Sequence, residues 1–177
     1  MTPPRIEVWT PDPARVEREL DMLADVLHAT VHAGASVSFI LPFSREDAAG
    51  FWRDKVLPEV ASGGSRMLLA WSGDRIVGVV MLEPAWAPNQ RHRAEEKKLL
   101  VHPGFRKQGI GRALMLALEE IARAEGRTLL TLDTRTGDKA EPLYLSLGYI
   151  SAGTIPRYAR APDAPDLEAT TFLYKEL

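Results

Sequence analysis

The sequence predicts a mixed α/β fold built on one core. Three observations carry that prediction. Amphipathic helical runs open the chain, apolar strand-like runs then alternate with helical ones, and Gly, Pro and Asp punctuate the joints. With 177 residues the chain fits one domain, residues 1–177, large enough to bury about two thirds of its surface.

Asp12-Pro13 predicts a helix start, an N-cap followed by proline at the first helical position. Val16, Leu20, Leu23 and Leu27 then recur on one face, and Gly34 ends the run. Ser44 and Asp47 form a capping-box pattern for a second helix carrying Phe51, Trp52 and Val56, which Pro58 and Gly63-Gly64 close. RMLLAWS, a Gly73-Asp74 turn and RIVGVVMLE predict a β-hairpin. The polar stretch 83–93 reads as a loop and AEEKKLLV, 94–101, as a strand. A helix follows on Ile110, Leu114, Leu118 and Ile121, with Glu119, Glu120 and Arg123 off its stripe and Gly126 as its stop. TLLTLDT, 128–134, is a further strand. Asp138 with Glu141 caps a short helix in KAEPLYLSLGY, and the chain ends in a β-region, TTFLYKEL.

Composition narrows the function classes. Hydrophobic residues at 45% and charged residues at 26% are globular values and exclude wholesale disorder. A net charge of −2 supplies no field to gather nucleic acid. Cysteine is absent, which removes disulfides, thiolate metal sites and cysteine nucleophiles and suits a reducing compartment. MTPPRIEVWTPDP has no apolar core of the signal-peptide kind, and no run approaches the roughly 20 apolar residues that cross a bilayer. A cytoplasmic protein without nucleic-acid or membrane partners is expected, as a monomer or homodimer.

The most specific stretch is HPGFRKQGIGR, 102–112, between a strand and a helix. Gly104 and Gly109 have Walker A spacing, but Ile110-Gly111 stand where Lys-Ser/Thr must be. A dinucleotide fingerprint fails too, because Leu114 occupies its third glycine position. What remains is Arg106-Lys107-Gln108-Gly109-Ile110-Gly111, with Arg112 next. A glycine-bearing helix start offers free N–H groups and a positive dipole end to a diphosphate.

KKLLVHPGFRKQGIGRALM resembles the acetyl-coenzyme A signature of the GCN5-related N-acetyltransferases, the GNAT family, and PLYLSLGYI resembles the segment that follows it there. The resemblance covers about residues 66–177, and the two N-terminal helices fit the family's first 60 positions. It implies an α/β (α+β) GNAT fold, a mixed and mostly antiparallel central sheet flanked by helices on both faces. It also implies acetyl-CoA as co-substrate, without a metal. TVHAGASVSF, RAEEKKLLV, LLTLDT and IPRYARAPD…ATTFLYKEL are further similar to the tabtoxin-resistance acetyltransferase subfamily.

Amine acetylation needs a base for the ammonium, donors for the developing oxyanion and an acid for the departing thiolate. Glu95 and Asp133 are the candidate bases. Strand alternation predicts that Glu95 shares a face with Leu99 and Val101 while Glu96 points away, and Asp133 ends an apolar strand where a carboxylate is costly. The subfamily resemblance assigns both as general bases. By family resemblance the main chain of Leu99, Leu100 and Val101 meets the acetyl carbonyl and pantetheine, and Tyr144 faces the sulfur as general acid. A phenol near its ordinary pKa of about 10 stays protonated at neutral pH, as a donor must. Tyr149 is expected to pack. His32 and Tyr158 are candidates to border the acceptor. His28 and His32 are four apart but find no third ligand, so no metal is implied. The expected function is acetyl transfer to a primary amine of a small molecule, an amino-acid-like toxin being the class the subfamily implies. The alternatives are a protein N-terminus, a lysine or a polyamine as acceptor, or a non-catalytic coenzyme A sensor.

Overall fold

The computed structural model describes residues 4–177. Residues 1–3, the head of the N-terminal stretch read as lacking a leader, lie outside it. Seven strands form one sheet in the order β1-β2-β3-β4-β5-β7-β6. They are β1 (Arg5–Val8), β2 (Arg66–Ser72), β3 (Arg75–Pro84), β4 (Arg93–Val101), β5 (Leu129–Arg135), β6 (Ile150–Arg160) and β7 (Leu167–Glu176). Every neighbouring pair is antiparallel except β4 with β5. The mixed, mostly antiparallel sheet is as expected; β1 was not foreseen, its RIEV alternation being only four residues long.

Helices α1 (Val16–His32), α2 (Arg45–Gly50) and α3 (Leu57–Ala61) belong to one face of the sheet, and α4 (Ile110–Ala124) and α5 (Glu141–Ser146) to the other. Leu20, Leu23 and Leu27 of α1 are fully buried with Trp52, whose indole N–H donates to Leu23 O at 2.9 Å. Burial of each such side chain stabilises by about 1.5–3 kcal/mol. On the opposite face Ile110, Leu114 and Leu118 of α4 pack against Leu68, Val80 and Leu130.

Two boundaries and one burial depart from expectation. Helix α1 starts at Val16, because Asp12 instead closes a turn, its carboxylate taking the Ala14 N–H and its carbonyl those of Arg15 and Val16. The Ser44–Asp47 capping box forms, but Pro58 does not end the helix. A π-helical segment, Phe51–Val56, widens the turn ahead of it, and Pro58 sits at the start of α3, where its missing N–H is tolerated. Glu119 is buried rather than exposed, since Lys175 reaches it from β7 at 2.7 Å.

Candidate active site

The site forms where two strands pair and then part. β4 and β5 are in register at Arg93↔Leu129, Ala94↔Leu130 and Glu95↔Thr131. Beyond that point β5 continues beside β7 and β4 beside β3, so the edge of β4 from Glu96 to Val101 faces a gap.

A bulge then re-aims β4. Val79 pairs with Leu100 and Met81 with Lys97, so Lys98 and Leu99 together oppose Val80, and Lys98 takes a left-handed φ of 56°. The bulge corrects the expected faces. Glu96, opposite Leu82, joins Leu99 and Val101 on the α4 side, while Glu95 lies with Glu83, Lys97 and Met81 on the α1 side. Alternation by two holds on each side of an inserted residue and fails across it.

On the α1 side Glu95 is half-buried, 4.0 Å from Lys97, which is itself held by Glu83 at 2.7 Å. Asp133 shares that face, because Leu130 and Leu132 of the same strand point to the α4 side. Asp133 keeps one flank exposed, yet neighbouring protein pushes its carboxyl up from the ordinary value against the pull of Lys98 and Lys97. The Lys98 ammonium, pushed down by burial, donates to Ser38 Oγ at 3.0 Å and to Val37 O at 3.3 Å. It also lies 5.8 Å from the rings of both Phe39 and Phe51. Asp133 pairs across the sheet with Phe172, on whose ring Tyr158 stands edge-on at 5.6 Å. Tyr158 therefore borders the same space. His32 does not join this group; it is exposed, stacked on His28, and bonded back to the His28 carbonyl. The segments around residues 35–43 and 161–166 are joined by the Leu41 N–H, which donates to Pro162 O at 2.7 Å.

On the α4 side Tyr144 is 4% exposed and meets Glu96. Burial, and then the Glu96 carboxyl, raise its phenol well above the ordinary value, so it is protonated at neutral pH. Tyr149 packs as expected, edge-on to Tyr144 at 5.8 Å.

The turn before α4 is a cradle of donors. Gly109 takes φ 78° and Lys107 φ 62°, and among the described residues no N–H from Lys107 to Arg112 is bonded to a protein acceptor. Such a row at a helix start fits a diphosphate. A Cβ on Gly111 would lie 3.2 Å from Leu143, so glycine there lets α4 and α5 approach. Arg106 turns to Val101 O at 3.4 Å, and the Arg112 guanidinium fastens α5 through Ser146 Oγ at 2.6 Å. In the strand, the His102 N–H bonds to Val77, so alternation sends the Leu100 N–H to β3 as well and the Val101 N–H into the gap. The Leu99 N–H is directed toward the Glu96 carboxyl. Of the three residues expected to offer main-chain groups in β4, Val101 turns its N–H into the gap.

Among the described residues no cluster of three or more potential metal ligands occurs, and no helix is long and apolar enough to cross a membrane. The sequence pattern of the Acetyltransferase (GNAT) family matches residues 33–149, and the chain belongs to that family. It is similar to an N-acetyltransferase from the hisH-hisA intergenic region of Azospirillum brasilense, 30% identical over 128 residues that cover 70% of this chain and 73% of the relative. Among solved structures it superposes on the ribosomal-protein-alanine N-acetyltransferase of Brucella melitensis with a TM-score of 0.76, at 23% identity, covering 98% of this chain and 99% of the other. The yncA protein of Salmonella typhimurium, solved with acetyl-CoA, gives 0.74 at 17% identity over 97% and 94% of the two chains. The protein is an acetyl-CoA-dependent N-acetyltransferase of the GNAT type.

Sequence reasoning missed Glu96 and Lys98. The signal for Glu96 was present: two adjacent acids in one strand face opposite ways, so one of Glu95 and Glu96 had to enter the interior. Nothing in KKLL marks the bulge that decides how the rest of the strand is aimed.

Proposed function

We propose that this chain acetylates the primary amine of a small molecule, with residues 1–177 acting as one catalytic domain. The observation that carries the reading is the division of labour across the gap between β4 and β5. Glu95 and Asp133 lie to its α1 side, and Tyr144 to its α4 side. Acetyl-CoA supplies the activated acyl group. The N–H row from Lys107 to Arg112 holds its diphosphate, Val101 its pantetheine arm, and Leu99, Leu100 and Arg106 support that strand end. Asp133, whose pKa is raised, takes a proton from the acceptor ammonium with Glu95 beside it. Tyr144 gives its hydroxyl proton to the departing sulfur.

The acceptor class rests on the α1 side. Tyr158 stands on Phe172, the cross-strand partner of Asp133, the Lys98 ammonium lies by Phe39, and the loop carrying Phe39 is bonded to the loop after β6 through Leu41 and Pro162. A site with the Lys98 ammonium held in place beside aromatic rings suits a compact amine bearing an anionic group, an amino-acid-like toxin among them, as the tabtoxin-resistance resemblance implies. A protein N-terminus is the second reading, the similar Brucella melitensis structure being that of a ribosomal-protein-alanine N-acetyltransferase, and it needs the two joined loops to part.

Mass-detected transfer from acetyl-CoA across amino acids, dipeptides, polyamines, amine antibiotics and tabtoxinine β-lactam tests the proposal. Small amino-acid amines are expected to lead. Preference for peptides would overturn the acceptor class, and binding without turnover anywhere would make the chain a coenzyme A sensor.

A further inference from the structure

Glu96 occupies a place built for an apolar side chain. Its cross-strand partner is Leu82, its face is shared with Ala94, Leu130 and Leu132, and it is 5% exposed. No cation forms a salt bridge with it among the described residues. Two donors meet it instead. The Tyr144 hydroxyl comes from α5, and the Leu99 N–H comes from the bulge that the left-handed Lys98 creates. Glu96 thus ties the proton donor to the strand segment that lines the gap.

We propose that Glu96 is a positioning residue for acetyl transfer, acting through Tyr144 and the β4 bulge, and that its own proton decides where the Tyr144 hydroxyl points. This rests on the reading of Tyr144 as the general acid. The reason is the donor count of a carboxyl group. Protonated, Glu96 donates its O–H to the phenol oxygen and leaves the phenol hydrogen free to point at the sulfur. Ionised, Glu96 only accepts, and it draws that hydrogen to itself. The proton that moves to sulfur is the one on Tyr144 Oη, and water restores it between turnovers; Glu96 keeps its own.

Burial pushes the Glu96 carboxyl up to about 8, against the pull of its two donors, with Asp133 of β5 and Glu95 of β4 adding to the rise. The other charged groups facing the cluster are Lys98 of β4, on the far side of the sheet, and Glu119 of α4 beside Tyr149 with its partners Lys175 and Arg123. On this face β3 presents the apolar Val80 and Leu82.

Two measurements test the proposal. The first needs no acceptor: protein labelled with ¹³C at the tyrosine Cζ is titrated by NMR, with Tyr144→Phe identifying the resonance. The Tyr144 signal is expected to shift with a midpoint near pH 8 and to lose that shift in Glu96→Gln. A signal that is flat through this range, or that shifts equally in the variant, overturns the proposal. The second is kcat against pH with an amine found by the transfer screen. The wild type is expected to fall about tenfold per pH unit above the midpoint, while Glu96→Gln stays flat there with KM for acetyl-CoA changed less than about twofold. An unchanged alkaline limb in Glu96→Gln overturns the proposal. Should the Glu96→Gln variant not fold, Glu96→Met keeps the volume and serves both measurements. Full turnover in Tyr144→Phe, by contrast, sinks the general-acid reading, and the NMR titration still reports on the pair by itself.

Discussion

Adjacent acids in β4 have opposite fates, and the difference is one of environment. Glu95 stands half in water beside Lys97, whereas Glu96 is sealed among leucines with a phenol and a peptide N–H for company. The same contrast sets Asp133 apart, as a carboxyl raised by burial that still reaches solvent on one side. If it deprotonates the acceptor, Asp133→Asn together with Glu95→Gln should lower kcat about 10²–10⁴-fold near neutral pH. The loss should shrink in alkali, where the amine loses its proton unaided; a loss constant across the pH range would make the pair positioning groups. Glu96 also leaves a mark on stability. Its folded pKa of about 8 lies above the ordinary 4.5, so its stabilisation is complete below the unfolded value and is lost as pH rises through the folded one. Thermal midpoints of the wild type should therefore decline between these limits more than those of Glu96→Gln. At this scale the sequence was half legible. Strand position together with the family resemblance pointed to Glu95 and Asp133, and the resemblance to Tyr144, but the choice between inward and outward acid depended on pairings with β3 that only a neighbouring strand defines.

Elements were more legible than their junctions. The α4 stripe, the Ser44–Asp47 capping box and the Gly73 turn are local features, set by residues within a few positions of one another, and all three formed. The bulge at Lys98–Leu99, the π-helical segment and the short strand β1 answer to distant partners, and none was legible. The turn before α4 sits between these cases, since its glycine was evident while its unbonded N–H row needed the fold. Gly109 there has open space where a Cβ would lie, so Gly109→Ala costs only its left-handed backbone, about 1 kcal/mol. It should weaken coenzyme A binding several-fold in calorimetry with little change in melting. Gly78 is the opposite case. A Cβ there would lie 3.0 Å from Leu100 O and 3.1 and 3.2 Å from Ile110 and Leu114. Gly78→Ala presses β3 against β4 and α4 together, and about 1–3 kcal/mol of stability should be lost in chemical denaturation.

Across the whole molecule the sheet is continuous on one side of the gap and continuous again on the other. The first side is β1 to β4 with the α1–α3 layer, and the second is β5 to β7, yet the two share only three residue pairs between β4 and β5. What spans the rest are side chains and single bonds from loops: Arg135 to Gly34 O at 3.1 Å, Leu41 N–H to Pro162 O, and Arg112 to Ser146. A ligand lying in the gap would complete the hydrogen bonding along β4 and at the turn before α4. Binding to the folded state alone stabilises by about 2.7 kcal/mol at a hundredfold excess over Kd. Coenzyme A should therefore raise the melting temperature and slow amide exchange at two places above all, Val101 and the run from Lys107 to Arg112. Leu99, already held by Glu96, should change least within the strand end. Protection spread evenly over β4, or confined to the α1 layer, would mean that the ligand does not lie along this edge and that the gap has another use.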